Sequence, residues 1–255
     1  IMNNKKLFSN LIEVFKHAGA ISLDLRSKGL RKEIKIDNTP VSNGDLEVNK
    51  ILTNNINKLT PLIPIVSEEN SANKDQNNLE NFWLIDPIDG TYDYINNGDE
   101  FTLNAALILN KKATAGIVYA PAKDRLFYTL GDGKSYEINK KNIKEIKGEK
   151  KTKKNEVKAV SYSNKLKPEI ENIYKIYNVT EHVRMKSSLK FCVIAAGDFD
   201  FYAAEPRACE WDIAAGHAIL KHAGGMVTDF NNNEIRYGKK DFKNSSLILK
   251  SKNIL

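Results

Sequence analysis

Trp83-Leu84-Ile85-Asp86-Pro87-Ile88-Asp89-Gly90-Thr91 sets two carboxylates three residues apart across a proline, immediately before a glycine and a threonine. Phe82 to Ile85 reads as a strand that delivers Asp86. Proline fixes its own φ and drives Asp86 into an extended conformation, so the strand is expected to end there and the chain to turn back, bringing both carboxylates toward one point. Gly90 lets the backbone approach an anion closely. Its amide and that of Thr91 open the next helix, where unpaired N–H groups and the helix dipole favour a phosphate. The stretch reads as a metal site beside a phosphate site.

Upstream, Leu7, Leu11, Val14, Phe15, Ala18, Ile21, Ser22 and Leu25 step by three and four, the stripe of a helix packed on a core. A second helix is expected from about Ser42 to Leu59, with Ser42 and Asp45 in capping-box spacing. Ile63-Pro-Ile-Val66 reads as a short strand delivering Ser67-Glu68-Glu69. Downstream, Thr102–Leu109, Ala113–Tyr119, Leu126–Leu130 and Lys134–Ile138 form β-rich runs broken by turn residues, the pattern of an antiparallel meander. From Val157 onward strands and helices alternate, with helices expected over Lys167–Tyr177, Ser188–Ala196 and Trp211–Ala223. The sum is a layered α/β arrangement in two halves, residues 1–150 and 151–255, with a seam near 140–156.

With 255 residues, 41% of them hydrophobic, the chain can bury a sizeable core. No apolar run approaches the roughly 20 residues of a membrane span, and the opening Ile1-Met2-Asn3-Asn4-Lys5-Lys6 leads into an amphipathic pattern rather than a signal-peptide core. The expected location is the cytoplasm, free or peripherally associated with the inner membrane. Cys192 and Cys209 have no metal-ligand spacing and read as reduced, buried thiols. Of the formal charge of +7, all but one unit falls between Asn139 and Lys158, where nine lysines face three glutamates. A lysine run without interleaved aromatics reads as a solvated hairpin or linker, so no nucleic-acid partner is expected. The rival reading is a basic nucleic-acid-binding module in which this segment does the work.

Glu68, Asp86, Asp89 and Asp212, the last in Trp211-Asp212-Ile213-Ala214-Ala215-Gly216, offer oxygen and no sulfur. Magnesium prefers carboxylates, backbone carbonyls and water and is often completed by substrate phosphate, so the set fits phosphate ester hydrolysis. Singly, each acid also reads as a helix cap or a surface charge; Asp45 alone is explained by its capping box. The ordered set is what carries the functional reading.

Through Asp86-Pro-Ile-Asp-Gly-Thr91 and Trp211-Asp-Ile-Ala-Ala-Gly216 the chain resembles the inositol monophosphatase superfamily of magnesium-dependent, lithium-sensitive phosphatases. Asp37-Asn-Thr-Pro-Val41, Pro64-Ile-Val-Ser-Glu-Glu69, Val118-Tyr-Ala-Pro121 and Ser187-Ser-Leu-Lys-Phe-Cys192 make it most similar to the CysQ-type 3'(2'),5'-bisphosphate nucleotidases, a branch tied to sulfur assimilation. The resemblance implies an αβαβα layered sandwich and two or three Mg2+ ions, held by Glu68, Asp86, the Ile88 carbonyl, Asp89 and Asp212, with Asp86 shared. It implies that Gly90 and Thr91 hold the scissile phosphate, and that Asp45 and Thr91 orient and deprotonate the attacking water. It further implies that Ser187 and Lys190 contact the second phosphate of adenosine 3',5'-bisphosphate, whose 3'-phosphate is removed to give AMP. Read without the resemblance, Ser187 and Ser188 are a helix start and Lys190 a solvated lysine. His217, on the helix of Asp212, reads either as packed or as a nucleotide contact.

The chain also departs from that branch. Ala203 and Ala204 stand where a proline and an arginine usually follow the Tyr202 position, with Arg207 the nearest arginine; Lys186 replaces a glycine, and Tyr92 a basic residue. These changes keep alive a reading with inositol or sugar monophosphates as substrates. Oligomeric state is left open.

Overall fold

A computed structural model describes residues 4–36, 38–69, 73–76, 78–149 and 156–254. Asp37 of the Asp37–Val41 block and four lysines of the lysine-rich segment, at 150, 151, 153 and 154, lie outside the described residues.

The chain opens with α1 (Asn4–Ser27), the hairpin β1 (Lys32–Ile34) and β2 (Pro40–Ser42), and α2 (Asn43–Leu59). α1 buries Leu7, Leu11, Phe15, Ala18 and Ser22 of the expected stripe and adds Phe8, while Val14, Ile21 and Leu25 are half-buried. Next come β3 (Ile65–Ser67), β4 (Phe82–Asp89), the short α3 (Thr91–Ile95), β5 (Thr102–Leu109), β6 (Lys112–Ala120), β7 (Arg125–Thr129), β8 (Ser135–Asn139) and β9 (Asn142–Ile146). β3 to β9 form one seven-stranded sheet in sequence order, antiparallel except for the parallel β3–β4 pair. The second half holds β10 (Val157–Ser161), α4 (Pro168–Ile176), β11 (Val179–Arg184), α5 (Leu189–Ala195), β12 (Phe201–Ala204), α6 (Glu210–His222), β13 (Met226–Thr228) and β14 (Leu247–Lys250). Its strands make a mixed five-stranded sheet in the order β11-β10-β12-β14-β13.

Three apolar clusters stack these elements into layers. One packs α1 and α2 on the first sheet; a second, the largest, lies between the two sheets around α5 and α6; a third packs α4 on the outer face of the second sheet. The layering is αβαβα, as the resemblance implies. β5 shows why strands can serve two cores at once: Leu103, Ala105 and Leu107 face the α1/α2 side and Ala106 and Ile108 face α5/α6.

Three features differ from the sequence expectation. The β1–β2 hairpin and β9 were not foreseen; β9 pairs with β8 and so carries the meander into the lysine-rich stretch. More consequential, β4 does not stop at Asp86. It remains paired with β5 through Asp89, with Asp86 opposite Asn104 and Asp89 opposite Thr102, so three steps along β4 match two along β5. That is a one-residue bulge. Before it, odd-numbered Trp83 and Ile85 face α1/α2; after it, even-numbered Ile88 does. Proline breaks the ladder, as expected, but the sheet absorbs the extra residue instead of releasing the chain.

Glu137 on β8 is fully buried, with Arg125 donating to it at 2.7 Å and the Lys144 ammonium 3.0 Å away. Burial alone would raise this carboxyl, but the hydrogen bonds and charges of Arg125 and Lys144 outweigh it and hold it below the ordinary 4.5. A lowered folded-state pKa stabilises above the unfolded value and loses that contribution as pH falls through the folded one. Wild-type stability is therefore expected to drop more steeply below about pH 4.5 than that of Glu137→Gln in urea titrations at stepped pH. Equal slopes would remove the ion pair from the account.

Candidate active site

The bulge decides the site's chemistry. In a regular strand, residues three apart point to opposite faces. The extra residue in β4 turns Asp89 to the same side as Asp86, the side covered by α5 and α6. Asp212 arrives there from the first turn of α6, where one carboxylate oxygen accepts the Cys209 amide at 2.7 Å as a cap. Oxygens of Asp86, Asp89 and Asp212 lie within 4.8 Å of one another.

Three carboxylates this close are costly when buried without a counter-charge. Burial, then Glu68, Asp89 and Asp212, hold the Asp86 carboxyl well above its usual range. Burial, with the charges of Asp89 and Glu68, pushes Asp212 up to about 8. Asp89 rises to about 6, burial being opposed by the Lys190 charge and the Ser188 amide, which donates to Asp89 Oδ2 at 2.5 Å. Asp86 Oδ1 is buried with no hydrogen-bond partner. An orphaned carboxylate oxygen amid oxygen-only donors fits a hard divalent cation and fits soft metals poorly.

Glu68 is brought beside this trio, close enough for its charge to act on all three acids, but not into it. Its amide donates to Ile85 O at 3.0 Å, and its carboxylate takes the Lys35 ammonium at 3.3 Å, which Glu69 shares. Lys35 sits just after β1, and no periodicity marks that hairpin, so this partner was invisible in the sequence.

Asp45 serves its cap and Thr91 together. The Ser42 amide and hydroxyl donate to Oδ2 at 2.8 and 2.5 Å, and the Thr91 hydroxyl reaches Oδ1 at 2.9 Å. The same hydroxyl lies 3.1 Å from the Ile88 carbonyl, and one proton can serve one of the two at a time. Burial raises the Asp45 carboxyl against those hydrogen bonds. Gly90, at φ +87°, is the N-cap of α3, a left-handed position that a side chain would strain.

Asp89, Gly90 and Asp212 line a cavity of about 370 Å³ together with Ser187, Lys190, Tyr202 and Arg207. Ser187 also has a positive φ, and its hydroxyl donates to Glu100 O. Lys190 is buried, donates to the Ser187 carbonyl at 2.6 Å and lies 5.4 Å from the Tyr202 ring centre. Burial lowers its ammonium to about 8, with Asp89 pulling the other way. Lys190 is thus no solvated lysine. Lys186 pairs with Asp93, which takes up its charge. His217 does not reach the cavity; it is buried against Tyr237, whose hydroxyl lies 2.7 Å from Nδ1, and burial pushes it down to about 3.

The Inositol monophosphatase family model matches residues 3–254. The 3'(2'),5'-bisphosphate nucleotidase CysQ of Buchnera aphidicola (subspecies Acyrthosiphon pisum) is 32% identical over 236 residues, covering 91% of this chain and 88% of its own length. CysQ from Bacteroides thetaiotaomicron, described as a bacterial member of that family, superposes with a TM-score of 0.77 at 27% identity, over 94% of this chain and 95% of its own. Staphylococcal inositol monophosphatase-1 matches over 99% and 92% with a TM-score of 0.82 at 16% identity, a likeness of fold. A match that runs almost end to end, across the same segments that the bulge and α6 draw into one acidic pocket, makes this chain a member of the inositol monophosphatase family.

Proposed function

We propose that the chain is a magnesium-dependent phosphomonoesterase that removes the 3'-phosphate of adenosine 3',5'-bisphosphate, giving AMP and inorganic phosphate. The observation that carries this reading is one cavity lined both by two acids of the trio, Asp89 and Asp212, and by Ser187 and Lys190. Likeness to CysQ nucleotidases of about 30% identity supports the choice of substrate.

Asp86, Asp89, Asp212 and the Ile88 carbonyl would hold two or three magnesium ions, and Glu68, now paired with Lys35, would be a further ligand. When bound, magnesium neutralises the acids and phosphate, lowers the pKa of nearby water and steadies the charge on the leaving oxygen. Gly90 and Thr91 seat the reacting phosphate. Thr91 Oγ1 accepts a hydrogen bond from the attacking water while donating to Asp45 Oδ1, so the proton passes through the hydroxyl to the carboxylate. The water oxygen bonds phosphorus as the bond from phosphorus to the ribose oxygen breaks; that oxygen takes a proton from solvent water to become the hydroxyl of AMP, and no covalent phosphoenzyme is formed. Ser187 and Lys190 meet the second phosphate, the lysine as a point charge.

Phosphate release from a panel of nucleotide, inositol and sugar phosphates, with and without magnesium, tests this. Magnesium-dependent release fastest from adenosine 3',5'-bisphosphate is expected. Far faster turnover of an inositol or sugar monophosphate would transfer the assignment to the second reading, which Ala204 on the cavity wall favours.

A further inference from the structure

Four cationic side chains line the cavity, Arg184, Lys186, Lys190 and Arg207, and they are not equivalent. Lys186 is paired with Asp93. Lys190 is committed to the Ser187 carbonyl and balances Asp89. Arg184 and Arg207 have no carboxylate partner among the described residues, Glu205 being taken by Lys167 at 2.7 Å, and of the two only Arg207 is seated on an aromatic ring. Its guanidinium carbon lies 4.0 Å from the centre of the Tyr162 ring, and both residues line the cavity. Stacking on an aromatic face holds the planar fork in place while leaving its N–H groups available.

We propose that Arg207, seated on Tyr162, joins Ser187 and Lys190 at the non-reacting phosphate and supplies the preference for a bisphosphorylated substrate. The inference rests on the nucleotidase reading above and deepens it. The reacting phosphate belongs beside Asp89 and Asp212, and the rest of the ligand lies in the same cavity, whose wall includes Arg207. Arg207 and Lys190 are near enough for their like charges to repel, and a dianion placed between them relieves that repulsion. A guanidinium grips phosphate through two parallel hydrogen bonds, which a lysine ammonium does not. A monophosphate ester leaves this fork unmet.

The test compares adenosine 3',5'-bisphosphate with adenosine 3'-monophosphate, using the full chain with magnesium and reading kcat and KM for each. Arg207→Ala is expected to raise KM for the bisphosphate, so that the ratio of kcat/KM values, bisphosphate over monophosphate, falls about tenfold. Arg207→Lys recovers part of the ratio. Arg207 is exposed, so truncation leaves the core intact, and general damage would lower both substrates without moving the ratio. An unchanged ratio overturns the Arg207 assignment and leaves the nucleotidase reading standing. A wild-type protein that releases no phosphate from the bisphosphate overturns both, so the wild-type trace tells the two failures apart.

Discussion

An Asp86→Asn variant is expected to lose magnesium-dependent phosphate release by about a thousandfold or more, several kcal/mol of transition-state stabilisation, while its cation-free form melts higher than wild type. Both effects come from one side chain. Asp86 carries the orphaned oxygen of the trio, and burial together with three neighbouring acids makes its charge costly. An amide of the same shape removes that charge and supplies N–H donors to the remaining carboxylates. Relief of about 1–2 kcal/mol is expected, and in a chain of this size that corresponds to a rise of about 2–4 °C per kcal/mol. Added magnesium should raise the wild-type melting temperature, since a ligand that binds the folded state alone stabilises it, and should leave the variant unmoved. Thermal melts with and without magnesium, paired with phosphate release, check all three. A variant that melts lower without cation, or that magnesium still stabilises, would remove Asp86 from the ion site.

Asp45→Asn is expected to lower kcat by about a hundred- to ten-thousandfold, the span of general base catalysis, with little change in KM. Asparagine still accepts from the Ser42 amide, so the cap of α2 survives and the stability cost stays below about 1 kcal/mol. What it loses is a basic oxygen for the Thr91 proton. Thr91→Val should reproduce the kcat loss, and Thr91→Ser, which keeps the hydroxyl, should recover most of it. Stopped assays at saturating substrate check the series. A large rise in KM with kcat preserved would make the pair a binding feature and leave the water without its base.

Much of this was legible because local patterns and global packing agree. The three-and-four spacing in α1, the Ser42/Asp45 cap and the alternating runs from Thr102 to Ile138 each predict the element found. Asp86, Asp89 and Asp212 were readable as oxygen donors for one point, and the structure brings them within 4.8 Å. What escaped depends on pairing partners far away in the chain. Pro87 signals an interruption, but whether the strand ends or bulges is decided by β5, whose Asn104 and Thr102 stay in step with Asp86 and Asp89. Lys35 carries no motif, and its place at Glu68 and Glu69 follows from a three-residue hairpin that propensity does not announce. His217 shares a helix with Asp212, yet helical rotation sends it to Tyr237.

The extra residue in β4 has an implication for how such a pocket can change over generations. At a spacing of three, regular pleating without the bulge would swing the second carboxylate into the greasy seam beneath α1 and α2, whereas at a spacing of two both acids would share a face with no bulge at all. The arrangement is stored in a spacing as well as in identities. A change that lets this stretch pleat regularly at its present length would cost the pocket its second acid, whereas loss of one residue there would remove the bulge and leave both acids facing the same way.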